Sequence, residues 1–359
     1  MWVADSTPLV DIGGRDEPGH DLDRVGNAAR LEDGRMVVVD RTASELRFFD
    51  ATGRYLSTSG RKGQGPGEFE FITSVHRLPG DTLFVFDGTL SRGSYLSSDG
   101  TFIRTRPTEF RQERSYSMGS AILFDRRLLG QGASFTQPTE TSGPIRRDPM
   151  AILLMRDSLI DTLVVVPGME THPGVLSEGG REYPNLNPVA FGRFSTYATD
   201  GSRIFVGTND PDGIRVYDGQ GNQIRVIRSG TPPEPVTEEL KARRQADREA
   251  SLNRPNISEQ LRAERRKDDA RTRYAAVMPF YARLLTGSDG SLWLERVPRF
   301  NDEGRRFVVY DSTGRGIATV RCPDRMRPLV VSTDNIIGVW RDPDDDVQHV
   351  RVYRLRKPG

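Results

Sequence analysis

The sequence predicts an all-β protein, a six-bladed β-propeller formed by one domain over residues 1–359. Three observations lead to this prediction. A pattern of strands and turns recurs about every 47 residues. The two ends of the chain carry complementary parts of one such unit. The composition, with 36 Gly, 23 Pro and 35% hydrophobic residues, is typical of many short strands and turns.

The repeat is clearest between residues 31–40, "LEDGRMVVVD", and residues 78–87, "LPGDTLFVFD", which align without a gap. Later copies contain the turns "VYDGQG" at 216–221 and "VYDSTG" at 309–314. Each copy places alternating apolar residues on both sides of an Asp-Gly type turn, which predicts an antiparallel meander of four strands. Four short strands per period of about 40 to 50 residues are typical of a propeller blade.

Six units can be counted along the chain. Four centre on Val38, Val85, Phe205 and Trp293, a looser one covers residues 121–168, and the last covers residues 329–355. The last unit ends after its third strand, and residues 8–13, "PLVDIG", fall on the missing outer position under the same offset. We therefore expect the N-terminal strand to complete the C-terminal blade, which closes the ring and removes two exposed edges. An open sandwich, the main alternative fold, does not explain this complementarity.

The glycine run "GRKGQGPGEF" at 60–69 invites comparison with phosphate-binding loops. Pro66 and Gly67 stand where a Walker loop has Lys and Ser or Thr, and the residues that follow read as extended chain rather than as a helix. We therefore predict a backbone turn that links one blade to the next, with a phosphate site as the alternative. Phe69 is predicted to pack between two blades.

This glycine loop, followed by "DTLFVFD" at 81–87 and a strand that ends in Asp-Gly, resembles the NHL-repeat family and the bacterial six-bladed propellers related to it. Members mostly bind proteins, peptides or glycans, some animal members bind RNA, and a minority of related propellers are enzymes. The resemblance implies a binding function and a location outside the bacterial cytoplasm: periplasmic, secreted or surface-attached as a mature form. The first residues, "MWVADSTPLVDIGG", contain neither the basic region nor the apolar stretch of a secretion signal.

The segment 231–279 is the one part of the chain that reads as helical. Thr237 is a plausible N-cap for a first helix, and a second helix is predicted to start at Ser258 and to stop before Pro279. Its mixed charges are typical of a solvated helical face, with a partner-binding arm as the alternative. The segment falls between blades 4 and 5, and we hypothesise that its helices partly cover the mouth of the central channel.

Loops that follow the second strand of each blade should emerge on the same face as this insert. Charged residues in these loops are the candidate ligand-binding residues around the channel mouth: Asp40, Arg41, Asp87, Arg92, Glu295, Arg296 and Arg341. The alternative interpretation is that they are solvated loop charges and turn formers.

Charge and motifs exclude several classes of function. Lys plus Arg total 51 and Asp plus Glu 50, a net charge of +1, so no overall field favours nucleic acid, and we expect no nucleic-acid partner. The single Cys322 excludes an internal disulfide and a multi-cysteine metal site. No apolar stretch approaches the roughly 20 residues of a transmembrane helix. We expect a monomer without a transmembrane segment.

No catalytic motif is present: G-x-S-x-G, H-E-x-x-H, C-x-x-C and Walker patterns are all missing. "DPDDDV" at 342–347 lacks the Gly and Glu of a calcium loop, which favours a hairpin turn. We predict no catalytic residue, no metal and no cofactor. The prediction is a non-catalytic binding or scaffold propeller that recognises a protein, peptide or glycan at the channel mouth. The alternative is a metal-dependent hydrolase or lactonase, which needs three or more carboxylate, Asn or His side chains converging in the channel.

Overall fold

The computed structural model describes residues 2–14, 17–112, 115–134, 139–156, 159–228, 234–253, 257–297 and 304–357. Two short strands open the chain: β1 (Trp2–Ala4) and β2 (Val10–Ile12). Blade 1 has four antiparallel strands: β3 (Val25–Arg30), β4 (Met36–Asp40), β5 (Glu45–Phe49) and β6 (Tyr55–Ser59). Blade 2 follows with four more and a 3-10 turn at Pro79–Asp81: β7 (Ile72–Arg77), β8 (Leu83–Asp87), β9 (Arg92–Leu96) and β10 (Phe102–Pro107).

Blade 3 is a six-stranded antiparallel sheet: β11 (Glu109–Gln112), β12 (Ser115–Ile122), β13 (Leu128–Ser134), β14 (Arg146–Arg156), β15 (Leu159–Glu178) and β16 (Arg181–Pro188). Blade 4 has four strands: β17 (Thr196–Thr199), β18 (Ile204–Gly207), β19 (Ile214–Tyr217) and β20 (Gln223–Ile227). Two helices separate it from blade 5: α1 (Glu238–Leu252) and α2 (Glu259–Ala270). Among the described residues, no helix is long and apolar enough to cross a membrane.

Blade 5 contains four strands: β21 (Arg283–Thr286), β22 (Leu292–Glu295), β23 (Arg306–Tyr310) and β24 (Gly316–Arg321). Blade 6 contains three from the end of the chain: β25 (Met326–Val331), β26 (Asn335–Arg341) and β27 (Gln348–Arg356). Apart from the additional strand β11, which lies on the channel side of β12, the innermost strands are β3, β7, β12, β17, β21 and β25. They contact one another in this order, and β25 contacts β3. The contacts close a ring, which confirms the six-bladed propeller predicted from the sequence.

The N-terminal strand completes blade 6, as predicted. β2 pairs antiparallel with β27, and Val10 lies opposite Val352. Asp11 of β2 accepts from His349 Nδ1 at 2.7 Å and pairs with Arg351 Nη2 at 2.9 Å, while Ile12 is fully buried. The outer edge of β27 is therefore covered by a strand made more than 300 positions earlier.

β1 makes a second closing contact that the sequence did not reveal. It lies between β24 of blade 5, to which it runs parallel, and β27 of blade 6, to which it runs antiparallel. Blades 5 and 6 are thus joined in one hydrogen-bonded sheet of nine strands. The ring of Trp2 packs against Trp293 with 6.3 Å between centroids.

The core consists of apolar side chains packed between neighbouring blades. Phe69, the last residue of the glycine run, is fully buried in the cluster that contains Phe48 of blade 1 and Val85 of blade 2. This confirms its predicted place between two blades. Burial of such a side chain stabilises the fold by about 1.5 to 3 kcal/mol.

The hairpins between third and fourth strands explain the repeated D-x-x-G pattern. In blade 1, Asp50 Oδ1 accepts from the hydroxyl of Thr52 at 2.6 Å and from the amide of Arg54 at 3.0 Å. Gly53 has φ +91°, and a Cβ added there would lie 2.5 Å from Val10 of blade 6. Glycine is therefore required both by the backbone conformation and by the close approach of the neighbouring blade.

We use the name channel-mouth face for the end of the ring where the innermost strands begin and the second strands end. The pairs Val25 with Asp40, and Arg283 with Glu295, mark this end in blades 1 and 5. On the same end, residues 171–188 of β15 and β16 form a hairpin that extends beyond the start of β14; we call it the β-arm. The sequence unit over 121–168 did not predict the β-arm.

The helical insert lies between blades 4 and 5, as predicted, although its residues 231–233 and 254–256 lie outside the described residues. Thr237 and Ser258 cap the two helices by accepting from the amides of Leu240 and Leu261. α2 packs on the β-arm, where Glu264 Oε1 accepts from the amide of Gly180 at 2.8 Å. The insert is thus tied to blade 3 as well as to the two blades that it connects.

Candidate functional site

Two of the predicted site residues, Asp40 and Asp87, are buried and cap turns at the ends of second strands. Asp40 Oδ1 accepts from the amide of Thr42 at 3.0 Å. Asp87 Oδ1 accepts from the amide of Leu90 at 2.9 Å, and its Oδ2 accepts from the amide of Glu70 at 2.8 Å. Both carboxylates thus hold the backbone of the channel-mouth face in place.

Arg92 is hydrogen-bonded to the glycine run at 60–69. Its guanidinium donates to the carbonyl oxygens of Gln64, Gly65 and Glu68, each at 2.8 Å. The amide of Gly65, which a phosphate site would need, donates instead to Glu68 Oε2 at 2.8 Å. The loop is therefore a turn whose polar groups bind one another, as the turn interpretation expects.

Arg41 extends from blade 1 to the innermost strand of blade 2. Its Nε and Nη2 donate to the carbonyl oxygens of Ile72 at 3.2 Å and Thr73 at 2.9 Å. A Cβ added at Gly26 would lie 2.4 Å from the Arg41 Nε, so a glycine in the innermost strand leaves room for the guanidinium. Arg41 is therefore positioned beside the channel.

Glu295 is buried between two arginines of blade 5. Arg283 Nε lies 3.0 Å from Glu295 Oε2, and Arg305 pairs with the other carboxylate oxygen. Arg296 points to the base of the insert, where it lies 3.4 Å from Glu234. Arg296 thus links the strand end that carries Glu295 to the insert at the channel-mouth face.

Arg341 stands apart from the other predicted residues. It pairs with Asp346 in the hairpin between β26 and β27, and its side chain is half exposed. Of the other predicted residues, Asp40 and Asp87 cap turns, Arg92 binds the glycine run and Arg296 contacts the insert. Arg41 and Glu295 belong to one charged cluster.

The remaining members of this cluster were missed from the sequence. Arg327 in β25 donates from Nη2 to the carbonyl oxygen of Val25 in blade 1 at 3.2 Å. We use the name arginine cluster for Arg41, Arg283, Arg305 and Arg327. Arg283 and Arg327 are the first and second residues of innermost strands, and Arg24 directly precedes a third. An arginine at the start of an innermost strand is the sequence signal that indicates Arg283 and Arg327, whereas Arg305 lies directly before the third strand of blade 5.

Among the described residues, the arginine cluster carries more positive charge than its partners neutralise. Within them, four guanidiniums share one buried carboxylate, that of Glu295, while the carbonyl oxygens that accept from Arg41 and Arg327 carry no net charge. Burial, and then the charges of the other three arginines, lower the pKa of Arg327 to about 10. Burial also lowers the pKa of Arg283, and burial together with Arg24 lowers that of Arg41. A bound anion would relieve this repulsion.

The insert forms a second concavity of about 280 Å³ between its helices and Tyr274. Its charges are paired across the helices: Arg248 lies 3.0 Å from Asp269, and Arg266 pairs with Glu249. The acidic side chains that line this cleft are thus each paired with an arginine of the insert.

The described residues contain no group of three or more His, Cys, Asp or Glu side chains that could hold a metal ion. Cys322 is buried next to blade 6, and burial, with a smaller contribution from Glu295, raises the pKa of its thiol to about 12. A thiol with such a pKa is protonated at neutral pH and is a poor nucleophile.

The fold and this site define the class of protein: a six-bladed β-propeller with a basic channel mouth. In agreement, the profile of the DUF5128 family, described as a 6-bladed beta-propeller, matches residues 23–77. The match covers one blade and the start of the next. A comparison with curated protein sequences gave no significant match.

Solved structures show the same fold along the whole chain. A candidate exported protein from Bacteroides fragilis is 15% identical, with a TM-score of 0.52 over 98% of this chain and 95% of that one. A Bacteroides vulgatus protein of the DUF4221 family is 11% identical, with a TM-score of 0.51 over 99% and 98% of the two chains. At this identity the likeness shows the fold alone. The NHL resemblance itself stays a prediction.

Proposed function

We propose that this propeller is a non-catalytic binding module that takes a protein, peptide or glycan segment at its channel-mouth face. The observation that carries the proposal is the arginine cluster. Its side chains come from blades 1, 5 and 6, and Glu295 is the one carboxylate that pairs with them in the described part of the chain. Charge focused at a concave mouth attracts and orients an oppositely charged ligand.

The proposal is tested by a binding screen on immobilised peptides and glycans. The double variant Arg283→Gln, Arg327→Gln removes two positive charges from the cluster. Arg54→Gln, an exposed residue in a hairpin on the opposite face, is the matched control. We expect the wild type and the control to retain the same ligands and the double variant to lose them. Equal retention by a correctly folded double variant would overturn the proposal.

We further propose an extracytoplasmic location and a monomeric state. The first is motivated by the fold shared with a candidate exported protein of Bacteroides fragilis. Fractionation of the native cells and light scattering of the purified protein test the two statements. Recovery from the cytoplasmic fraction alone, or a molar mass twice that of the 40.2 kDa chain, would contradict them.

A further inference from the structure

We propose that the arginine cluster binds carboxylate groups of an acidic peptide that lies in extended form across the channel mouth. The inference rests on the proposed function and narrows its ligand to one chemical class.

The guanidiniums of the cluster are fixed before any ligand arrives. Arg327 of blade 6 donates to the carbonyl oxygen of Val25 in blade 1, and Arg41 of blade 1 donates to the carbonyl oxygens of Ile72 and Thr73 in blade 2. Each side chain thus reaches the innermost strand of the following blade. A ligand that meets such fixed donors does not have to order them, which favours binding.

The cluster already holds one carboxylate, that of Glu295. Arg283 binds one oxygen at 3.0 Å through Nε, and Arg305 binds the other. The spacing of these guanidiniums therefore suits a carboxylate, the anion that matches a planar guanidinium fork.

One hydrogen-bond donor of the arginine cluster, on Arg283, has no acceptor among the described residues. Arg283 Nη2 is buried and has no hydrogen-bond partner within the described part of the chain. A buried donor without a partner is costly, and its cost disappears when an acceptor of a ligand reaches it. Arg41 and Arg327 form no ion pair with any residue that the structure describes. Together with their charges, the free donor of Arg283 makes a second carboxylate the best fitting group.

The opposite side of the mouth favours a peptide over other polyanions. β11 is the terminal strand of the blade 3 sheet on its channel side, and β12 is its only strand neighbour in the described residues. In a ring of six, blade 3 lies opposite blade 6, which supplies Arg327. An extended peptide can pair its backbone with such an edge, whereas a sugar chain cannot form a strand.

The test measures binding of fluorescein-labelled hexaglutamate to the full chain by anisotropy at low and physiological salt. Hexaglutamine, oligogalacturonate and polyphosphate of similar length are the comparison probes. We expect hexaglutamate to bind, hexaglutamine to bind at least tenfold more weakly, and both uronate and polyphosphate to bind more weakly than hexaglutamate.

Variants assign the binding to the cluster. Arg283→Gln with Arg327→Gln should weaken hexaglutamate binding at least tenfold, whereas Arg54→Gln should leave it unchanged. Arg327→Lys, which keeps the charge but not the fork, should give an intermediate loss and guards against a folding defect in the double variant.

Several outcomes overturn the inference. Tighter binding of oligogalacturonate or polyphosphate would reject the peptide as the ligand class. Unchanged hexaglutamate binding in the folded double variant, or equal binding of hexaglutamine, would reject the cluster as its site. If ligands from the screen bind the face while hexaglutamate does not, the inference falls and the proposed function stands. If nothing in the screen binds the wild type, both fall.

Discussion

Arg35, in the first hairpin of blade 1, donates from Nη1 to the carbonyl oxygen of Ser98 in the last hairpin of blade 2 at 3.1 Å. Its Nε also binds Asp33 of its own turn at 2.6 Å. The relationship recurs in two further pairs of neighbouring blades: Arg127 with Gly219, and Arg203 with Ser312. On the face opposite the channel mouth, each of these arginines binds an aspartate of its own turn and donates a hydrogen bond to the next blade.

Arg35→Gln should lower the free energy of unfolding by about 1 kcal/mol, because a charged hydrogen bond between blades is lost at a partly buried site. Arg54→Gln is the control, since Arg54 is largely exposed and pairs only within its own hairpin among the described contacts. Urea unfolding followed by tryptophan fluorescence measures both. Equal urea midpoints for the two variants would show that the hydrogen bond between Arg35 and Ser98 does not stabilise the ring.

Ile12→Ala should destabilise the ring by about 2 to 5 kcal/mol, because Ile12 is fully buried where the N-terminal strand completes blade 6. Leu9→Ala removes a side chain of equal size that is 54% exposed and should change stability little. Thermal and urea unfolding compare the two variants. A loss for Leu9→Ala as large as that for Ile12→Ala would contradict closure by this strand.

Replacing residues 237–275 by two glycines should leave a folded ring. The ends of the excised segment already meet, since the amide of Val236 donates to the carbonyl oxygen of Ala276 at 3.0 Å. The circular dichroism spectrum of this deletion variant should lose its helical component and keep its β-sheet component. The variant should still unfold cooperatively. Loss of cooperative unfolding would show that the insert is not separable. Weaker ligand binding by the folded deletion would support a contribution of the insert to the mouth.

The hairpin aspartates make stability depend on acid pH. The hydroxyl of Thr52 and the amide of Arg54 lower the pKa of Asp50 to about 2. Because an unfolded Asp has a pKa of about 3.9, this contribution to stability is complete above that value and is lost as the pH falls through about 2. Asp50→Asn should therefore be less stable than wild type at pH 7.

The difference between Asp50→Asn and wild type should narrow between pH 4 and pH 2. Urea midpoints at pH 7, 4 and 2.5 measure this trend, and Asp161→Asn, at an exposed position of β15, is the control. A constant difference across this range would contradict the assignment of the shifted pKa to Asp50.

Cys322 should not react with a thiol reagent at pH 8 in the native protein. Its side chain is buried, and at four pH units below a pKa of about 12 almost none of it is thiolate. In guanidinium chloride one thiol per chain should react at once. Rapid native labelling would show that the boundary between blades 5 and 6 opens readily.

Much of the ring follows from local patterns in the sequence. The D-x-x-G hairpins, the apolar runs around Val38 and Val85, and the caps Thr237 and Ser258 are each set by a few neighbouring residues. Closure by residues 8–13 was predictable because the repeat offset extends to both ends of the chain. These features therefore needed no knowledge of contacts between distant segments.

β1 and the arginine cluster depend on contacts between segments far apart in sequence. Arg327 is placed beside Val25, which comes 302 positions earlier, and no local pattern encodes that contact. Asp40 and Asp87 lie at the ends of second strands, yet their carboxylates bind backbone amides and, in the case of Asp40, also the guanidinium of Arg47. A position after a second strand indicates the face of the ring but not the direction of the side chain.

Completion of blade 6 by β2 has a consequence for synthesis on the ribosome. β2 pairs with β27, which follows it by more than 300 positions, so blade 6 cannot be completed until β27 has been synthesised. The side chain of Gln348 then accepts from the amide of Val25, 323 positions upstream. Contacts of this separation form late. A nascent chain stopped before Gln348 would hold five blades with open edges, the state most prone to aggregation and most dependent on a chaperone.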